Sequence, residues 1–172
     1  GSIYSTSFKV AEFTKLAENA FRDTNIAYAN ELSTLCKMYG VNSEEVIKLA
    51  NKHPRVNILN PGIGVGGHCI PIDPWFLIEK YNKTYSIIKN SRLVNINKSK
   101  EIAKEIISFV KRKGLEKKHD SILFLGLSYK ANIGDLRESP ALDIIQLVTK
   151  KLNLNVLVHD PYVKANLLRD ID

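Results

Sequence analysis

Two long stretches of this chain, residues 9–39 and 87–113, contain neither proline nor glycine. In both stretches apolar residues recur at intervals of three and four, which is the spacing of one buried helix face. Gly40 follows the first stretch and Gly114 follows the second, and glycine is the usual residue just beyond a helix C-terminus. The sequence therefore predicts two long helices, the second of which is long enough to act as a connector or a dimer spine.

Shorter elements lie between these helices. Asn42, followed by Glu45, resembles a capping box and predicts a short helix to about Ala50. Residues 54–74 hold many of the glycines and most of the prolines, which is typical of a loop. A further short helix is predicted from near Trp75 to about residue 80.

The last third of the chain has a different pattern. Residues 121–125 form a short apolar, β-prone run, and Ser139 followed by Pro140 is typical of a helix start. That helix should extend to about Lys151, and residues 156–159 predict a second strand. A strand–helix–strand unit is the building block of a parallel sheet. The predicted fold class is therefore α/β, with a helical part followed by a parallel α/β part. Two strands are too few for a stable sheet, so the α/β part is predicted to be truncated.

The composition describes a globular protein. Of its 172 residues 44% are hydrophobic and 25% are charged, and no apolar run approaches the roughly 20 residues that span a bilayer. Cys36 and Cys69 are too few for a disulfide framework, and no secretory leader is evident. We therefore expect a reduced, cytoplasmic setting without membrane contact.

The formal net charge of +7 allows two kinds of anionic partner. Lysines are dense along the second long helix, but they alternate with isoleucine and valine at helical spacing and no nucleic-acid motif accompanies them. That pattern favours a solvated helix face over a nucleic-acid contact, which would weaken steeply with salt. A nucleotide diphosphate would benefit from the same positive potential, so we expect a small-molecule partner and no nucleic acid.

The strongest indication of chemistry is the sequence Gly-Val-Gly-Gly-His-Cys-Ile-Pro-Ile-Asp-Pro-Trp-Phe at residues 64–76. It places Cys69 directly after a glycine turn and four residues before Asp73. Glycine lets a ligand approach the backbone closely, and a reachable, activated thiol is a nucleophile. The alternative is a structural thiol in a glycine-rich loop, because free cysteine is among the most buried residues.

Other segments complete a recognisable pattern. Residues 11–23 read Ala-Glu-Phe-Thr-Lys-Leu-Ala-Glu-Asn-Ala-Phe-Arg-Asp, and residues 53–59 read His-Pro-Arg-Val-Asn-Ile-Leu. Residues 126–130 read Gly-Leu-Ser-Tyr-Lys, and residues 135–141 read Asp-Leu-Arg-Glu-Ser-Pro-Ala. In order and spacing, the chain resembles the UDP-glucose/GDP-mannose dehydrogenase family over nearly its whole length. The Cys69 loop most resembles the branch that acts on UDP-N-acetylmannosamine.

The resemblance implies a domain plan. Residues 1–86 would form an all-helical central dimerisation domain, residues 87–114 a long connecting helix, and residues 115–172 part of a Rossmann-like UDP-binding domain. A homodimer through the central helices is implied as well. A dinucleotide fingerprint lies between a strand and a helix, whereas the glycines here lie in a loop with no preceding strand. NAD is therefore expected to bind to an N-terminal domain outside this chain, which alone should be inactive.

The resemblance also implies a reaction. Such enzymes oxidise the C6 alcohol of a nucleotide sugar to a carboxylate in two steps that consume two NAD. Cys69 would attack the intermediate aldehyde, and the thiohemiacetal would be oxidised to a thioester that water hydrolyses. Lys15 and Asn19, four residues apart on one helix face, would stabilise the developing oxyanion, and Asp73 would position water or act as a base. The structural alternatives are a surface lysine, a helix-face asparagine and an N-cap carboxylate.

Other positions would bind the nucleotide sugar. Arg55 resembles the arginine that such enzymes extend across a dimer interface, and arginine suits bidentate contact with phosphate. Lys130 and Arg137 would lie near the diphosphate and the sugar, close to the helix N-terminus that follows Ser139. His68 would contact the substrate rather than act as the base. The remaining substrate-binding positions implied are Asn57, Leu59, Asn60, Gly62, Gly66 and Gly67.

Several alternatives stay open. The implied substrate is a UDP-hexosamine, in the first place UDP-N-acetylmannosamine, with UDP-N-acetylglucosamine and UDP-glucose as alternatives within the family. A non-catalytic dimerisation scaffold is the alternative outside the enzymes. A scaffold would require none of the residue types found at Cys69, Lys15, Asn19 and Asp73. No metal is expected.

Overall fold

The computed structural model describes residues 2–81, 85–115, 117 and 119–164. Residues 82–84, and the end of the predicted UDP-binding part from residue 165, lie outside the described residues. The chain divides into two compact units. The first comprises Gly1–Gly62 and Cys69–Val94, and the second comprises Ile63–His68 and Asn95–Asp172.

The first unit is built on helix α1, Phe8–Tyr39. The helix begins where the Ser7 side chain accepts a hydrogen bond from the N–H of Val10. It ends at Gly40, which has the left-handed backbone conformation (φ 68°) that glycine adopts without strain. Both ends agree with the prediction to within one residue, because a cap and a glycine stop are local signals.

Two short helices pack against α1. Helix α2 spans Ser43–Ala50, and the predicted cap is confirmed because Asn42 Oδ1 accepts from the N–H groups of Glu44 and Glu45. Helix α3 spans Asp73–Ile78, so it begins two residues before the predicted start near Trp75. Proline fits the first turn of a helix, where its missing N–H costs nothing, and Pro74 therefore belongs to the helix rather than to the loop.

The inner face of α1 is unusual because polar side chains are buried along it. Asn19, Asp23 and Asn30 are each at most 2% exposed, and they recur at helical spacing. Arg92, in the N-terminal part of helix α4 (Ile87–Arg112), is also buried and forms an ion pair with Asp23. Small apolar residues, including Ala20 and Ala27, fill the space between these groups.

The second unit contains a parallel sheet. Strands β1 (Ser121–Leu125) and β2 (Asn155–His159) pair in parallel, with Ser121 opposite Asn155, and helix α5 (Pro140–Thr149) connects them. The predicted strand–helix–strand unit and its parallel pairing are confirmed. The buried core residues of the second unit come from the C-terminal half of α4, from α5 and from the loops next to them: Ala103, Val110, Leu127, Ile144, Ile145, Val148, Leu152 and Val163. The partly buried strand residues Phe124, Val156 and Val158 pack against them.

The observed architecture confirms the predicted fold class. The chain is mostly helical and has a small parallel α/β part at its C-terminal end. One detail differs from prediction at Ser139, which occupies the N-cap position of α5 without capping it through its side chain. Its hydroxyl instead donates to the carbonyl of Leu127 at 2.5 Å, because that buried carbonyl follows β1 and lies next to the helix start.

Candidate active site

The predicted site residues are divided between the two units. The first unit holds Lys15, Asn19, Arg55, Asn57, Leu59, Asn60, Gly62, Cys69 and Asp73. The second holds Gly66, Gly67, His68, Lys130 and Arg137. The boundary between the units therefore passes between His68 and Cys69.

In the first unit, Asn19, Asp73 and Cys69 come together. Asn19 Nδ2 donates to Asp73 Oδ2 at 2.6 Å, although the two residues are 54 positions apart in the sequence. Asp73 is the first residue of α3, and its N–H donates to the carbonyl of Cys69 at 2.8 Å. The same carbonyl accepts from Ile72 at 3.0 Å, so the thiol residue belongs to a tight turn that leads into the helix. The backbone of Cys69, the Asp73 carboxylate and the Asn19 amide are thus held together by one turn and one side-chain contact.

Lys15 lies four residues before Asn19 on α1 and is exposed. Its Nζ lies 3.6 Å from Glu18 Oε2, and both side chains are more than 60% exposed. An ion pair this exposed contributes little to stability and is easily exchanged for another partner.

The Asp23–Arg92 ion pair lies one helical turn after Asn19 along α1. The Arg92 and Asp23 side chains are only 3% and 1% exposed, and Arg92 Nη1 donates to Asp23 Oδ1. A charge at such depth is tolerated only when it is paired, because the desolvation cost is high. The pair therefore fixes the helix face that presents Asn19. Neither residue was predicted from the sequence. The polar residues at positions 19, 23 and 30, which share one helix face, were the only indication that polar groups are buried there.

The segment from residue 55 to residue 62 also belongs to the first unit. Arg55 is exposed, and its backbone N–H donates to His53 Nδ1 at 3.3 Å. Asn57 and Asn60 are exposed, and Leu59 is half-buried. Asparagine side chains from α1 and from the end of α2 hydrogen-bond the backbone of this segment, including the N–H of Gly62.

In the second unit, Gly66 and Gly67 lie against other parts of the protein. A Cβ atom on Gly66 would overlap the backbone carbonyl of Glu138 and would lie 2.6 Å from the Cβ of Tyr129. A Cβ on Gly67 would lie 2.8 Å from the Tyr129 ring, and the N–H of Gly67 donates to the carbonyl of Arg137 at 3.0 Å. The close approach that the glycines permit is therefore made here by the protein's own chain.

Arg137 and Lys130 lie on the loop between β1 and α5. Arg137 binds Asp135 with Nε at 3.0 Å from Oδ1 and Nη2 at 2.5 Å from Oδ2. The hydrogen bonds from the Arg137 side chain and then from its backbone lower the pKa of Asp135 to about 2. Lys130 is exposed. The guanidinium is thus held in a defined orientation, with its side chain still 61% exposed.

Asp160, immediately after β2, orders the loop that leads to Lys130. Its Oδ2 accepts from the N–H of Leu127 at 2.8 Å and from the N–H of Ser128 at 3.1 Å, and its Oδ1 accepts from the N–H of Tyr162 at 2.9 Å. These bonds, chiefly those from Leu127 and Tyr162, lower the pKa of Asp160 to about 2. Asp160 was not predicted from the sequence, because the backbone N–H groups of Leu127 and Ser128 that it binds are more than 30 residues away in the chain.

Among the described residues, the segment between β1 and α5 contains no G-x-G-x-x-G. Among the same residues, no group of three or more metal-ligating side chains occurs, and no helix is long and apolar enough to cross a membrane.

Comparison with known proteins gives a consistent result. Residues 9–98 match the central domain of the UDP-glucose/GDP-mannose dehydrogenase family, and residues 123–171 match the family's UDP binding domain. The UDP-N-acetyl-D-mannosamine dehydrogenase of Campylobacter jejuni is 49% identical over 95% of this chain and 39% of its own length. The NDP-N-acetyl-D-galactosaminuronic acid dehydrogenase of Ralstonia nicotianae is 48% identical over 96% of this chain and 38% of its own length.

A solved structure of a UDP-D-ManNAc dehydrogenase from Pyrococcus horikoshii superimposes with a TM-score of 0.88 and 41% identity. That match covers 95% of this chain and 39% of the Pyrococcus chain. The chain thus spans about two fifths of the length of the curated relatives that it matches.

Proposed function

This chain belongs to the UDP-glucose/GDP-mannose dehydrogenase family, and on that basis we propose that it forms the central and UDP-binding parts of a nucleotide-sugar 6-dehydrogenase. The enzyme oxidises the C6 alcohol of a UDP-hexosamine to a carboxylate. The observation that carries this proposal is the hydrogen bond between Asn19 and Asp73 at the turn of Cys69. A scaffold would have no need to hold an amide against a carboxylate next to the turn that contains Cys69.

Each of these groups has a role in the second oxidation. The Cys69 thiolate adds to the C6 aldehyde, and the oxyanion that forms is stabilised by the amide of Asn19 and the ammonium of Lys15. After the thiohemiacetal has lost a hydride and a proton, the resulting thioester is attacked by water that Asp73 orients or deprotonates. The acid is released and the thiol is restored. NAD, which a domain other than these two units would hold, would supply the hydride acceptor for both oxidations.

Each unit by itself offers candidate contacts for the nucleotide sugar. Arg55 and the segment 57–62 contact the nucleotide sugar, with Arg55 extending to the site of a second copy. Lys130 and Arg137 neutralise the diphosphate, a role that the fixed and partly exposed guanidinium of Arg137 supports. The named relatives favour an N-acetylated hexosamine, with UDP-N-acetylmannosamine first and the galacto sugar as the second candidate.

The second copy is a further part of the proposal. Helix α1 leaves large apolar side chains uncovered, since Phe13 is 62% and Phe21 is 68% exposed. Together with α3 and the start of α4, they line an open groove of about 620 Å³ in the first unit. Contiguous exposed apolar surface of this kind marks an interaction site, and we assign it to the homodimer. Light scattering should report a dimer, and a Phe21→Asp variant should shift it to monomer.

The reaction is tested with an enzyme that contains this chain together with an NAD-binding domain. UDP-N-acetylmannosamine, UDP-N-acetylgalactosamine, UDP-N-acetylglucosamine and UDP-glucose are each supplied with NAD, and NADH is followed at 340 nm. We expect two NADH per molecule of one sugar, loss of turnover in Cys69→Ala, and retained turnover in the matched control Cys36→Ala. Cys36 is the other free thiol and is buried in the helical unit. Absence of turnover with every sugar would favour the scaffold.

A further inference from the structure

Residues 57–62 belong to no helix or strand and have no neighbouring strand in the part of the chain that is described. Side-chain amides take the place of that strand. Asn25 Nδ2, on α1, donates to the carbonyl of Asn57 at 2.8 Å, and Asn25 Oδ1 accepts from the N–H of Leu59 at 2.9 Å. One side chain therefore satisfies a carbonyl and an N–H of the segment at the same time.

Asn51 also binds a carbonyl and an N–H of the segment, and both groups belong to Ile58. Its Nδ2 donates to the carbonyl of Ile58 at 2.9 Å, and its Oδ1 accepts from the N–H of Ile58 at 2.7 Å. Asn51 lies just after the last residue of α2, where its own N–H continues the helical hydrogen bonding. Further on, the Oδ1 of buried Asn30 accepts from the N–H of Gly62 at 2.8 Å.

The two paired contacts follow the hydrogen-bond pattern of an extended chain that has a partner at each edge. In an extended chain the carbonyl and N–H of one residue point to one edge, and those of its two neighbours point to the other edge. Asn51 binds both groups of Ile58, whereas Asn25 binds the carbonyl before it and the N–H after it. The segment is thus held like the central strand of a sheet. Each contact needs one donor and one acceptor, which aspartate at neutral pH cannot supply.

We propose that Asn25, Asn51 and Asn30 are positioning residues for the nucleotide-sugar segment 57–62, and we refer to them as the asparagine clamp. This inference rests on the proposed function, which assigns substrate contact to Asn57, Leu59 and Asn60. The clamp orders the segment before the substrate arrives, so less ordering entropy opposes binding. The clamp residues themselves bind backbone groups of the segment and act through it.

The inference is tested in the dehydrogenase that contains this chain, with Asn51→Asp as the main variant and Asn25→Asp as the second. Either variant keeps the side-chain size and removes the amide donor. Hydrogen exchange followed by mass spectrometry should show peptides that cover residues 57–62 exchanging about 10-fold faster, the factor that corresponds to loss of roughly 1.4 kcal/mol. The KM for the nucleotide sugar should rise by about the same factor, with kcat within roughly two-fold of wild type, because uniform binding is lost.

Asn42→Ala is the matched control. Asn42 is also an asparagine at an end of α2, but it caps the helix and makes no bond to the segment. Loss of the cap should lower the melting temperature while exchange at residues 57–62 and KM stay at wild-type values. Unchanged exchange in both aspartate variants would overturn the clamp, and faster exchange with unchanged KM would overturn its role in binding. If the wild type oxidises no nucleotide sugar, the proposed function fails, and the exchange data alone still decide whether the amides hold the segment.

Discussion

The buried ion pair between Asp23 and Arg92 gives the sharpest stability prediction. Both side chains are almost fully excluded from solvent, so Asp23→Ala leaves the Arg92 guanidinium buried without its counter-ion. Removal of one partner of such a pair costs about 3–5 kcal/mol, because the remaining charge has lost both water and its partner. With a urea m-value of roughly 2 kcal/mol/M, the midpoint of the first unit's transition should fall by about 2 M.

The assay is equilibrium unfolding in urea followed by far-UV circular dichroism. Two variants make it specific. Glu18→Ala removes an acid that pairs with Lys15 on the surface of the same helix, and it should cost less than about 0.5 kcal/mol. The double variant Asp23→Leu/Arg92→Met removes both charges and should be more stable than Asp23→Ala alone. A loss below about 1 kcal/mol in Asp23→Ala would refute the reasoning, as would a double variant no more stable than that single one.

Two further predictions concern the second unit. Gly66→Ala should cost about 2–3 kcal/mol in thermal unfolding, because the new methyl group meets the Glu138 backbone, whereas Gly114→Ala, with open space but a φ of 66°, should cost about 1 kcal/mol. Equal losses would contradict the steric argument. The folded-state pKa of Asp160 is lowered, so its stabilisation is complete above about pH 4–5 and disappears as the pH falls towards 2. Asp160→Asn should be less stable than wild type at pH 7, by about 1 kcal/mol after solvent screening, and the difference should vanish near pH 2 in a pH series of melting curves.

The elements of the fold were predictable because their signals are local. The proline-free and glycine-free stretches, the cap at Asn42 and the stop at Gly40 each depend on a few neighbouring residues. The parallel pairing followed from the strand–helix–strand order. The start of α3 was predicted two residues too late, because a proline near a glycine-rich loop is as typical of a loop as of a first helical turn.

The contacts around the candidate site were much less predictable. Asp23 and Arg92 are 69 positions apart, and in the sequence each reads as an ordinary charged residue on a helix. Asn25 and Asn51 read as surface residues, because nothing local indicates that a distant backbone segment needs their amides. The nearness of Asn19, Asp73 and Cys69 was implied by family resemblance alone, since no periodicity relates α1 to the loop before α3.

The discontinuous second unit has a consequence for protein engineering. Residues 63–68 pack with Tyr129, Arg137 and Pro140, although the rest of that unit begins only at Asn95. A chimaera made by a single crossover inside α4 would pair this loop from one parent with the Tyr129 region from the other. Such hybrids should often misfold even between close homologues. Recombination libraries would preserve more folded members if residues 63–68 and residues 129–140 always came from the same parent.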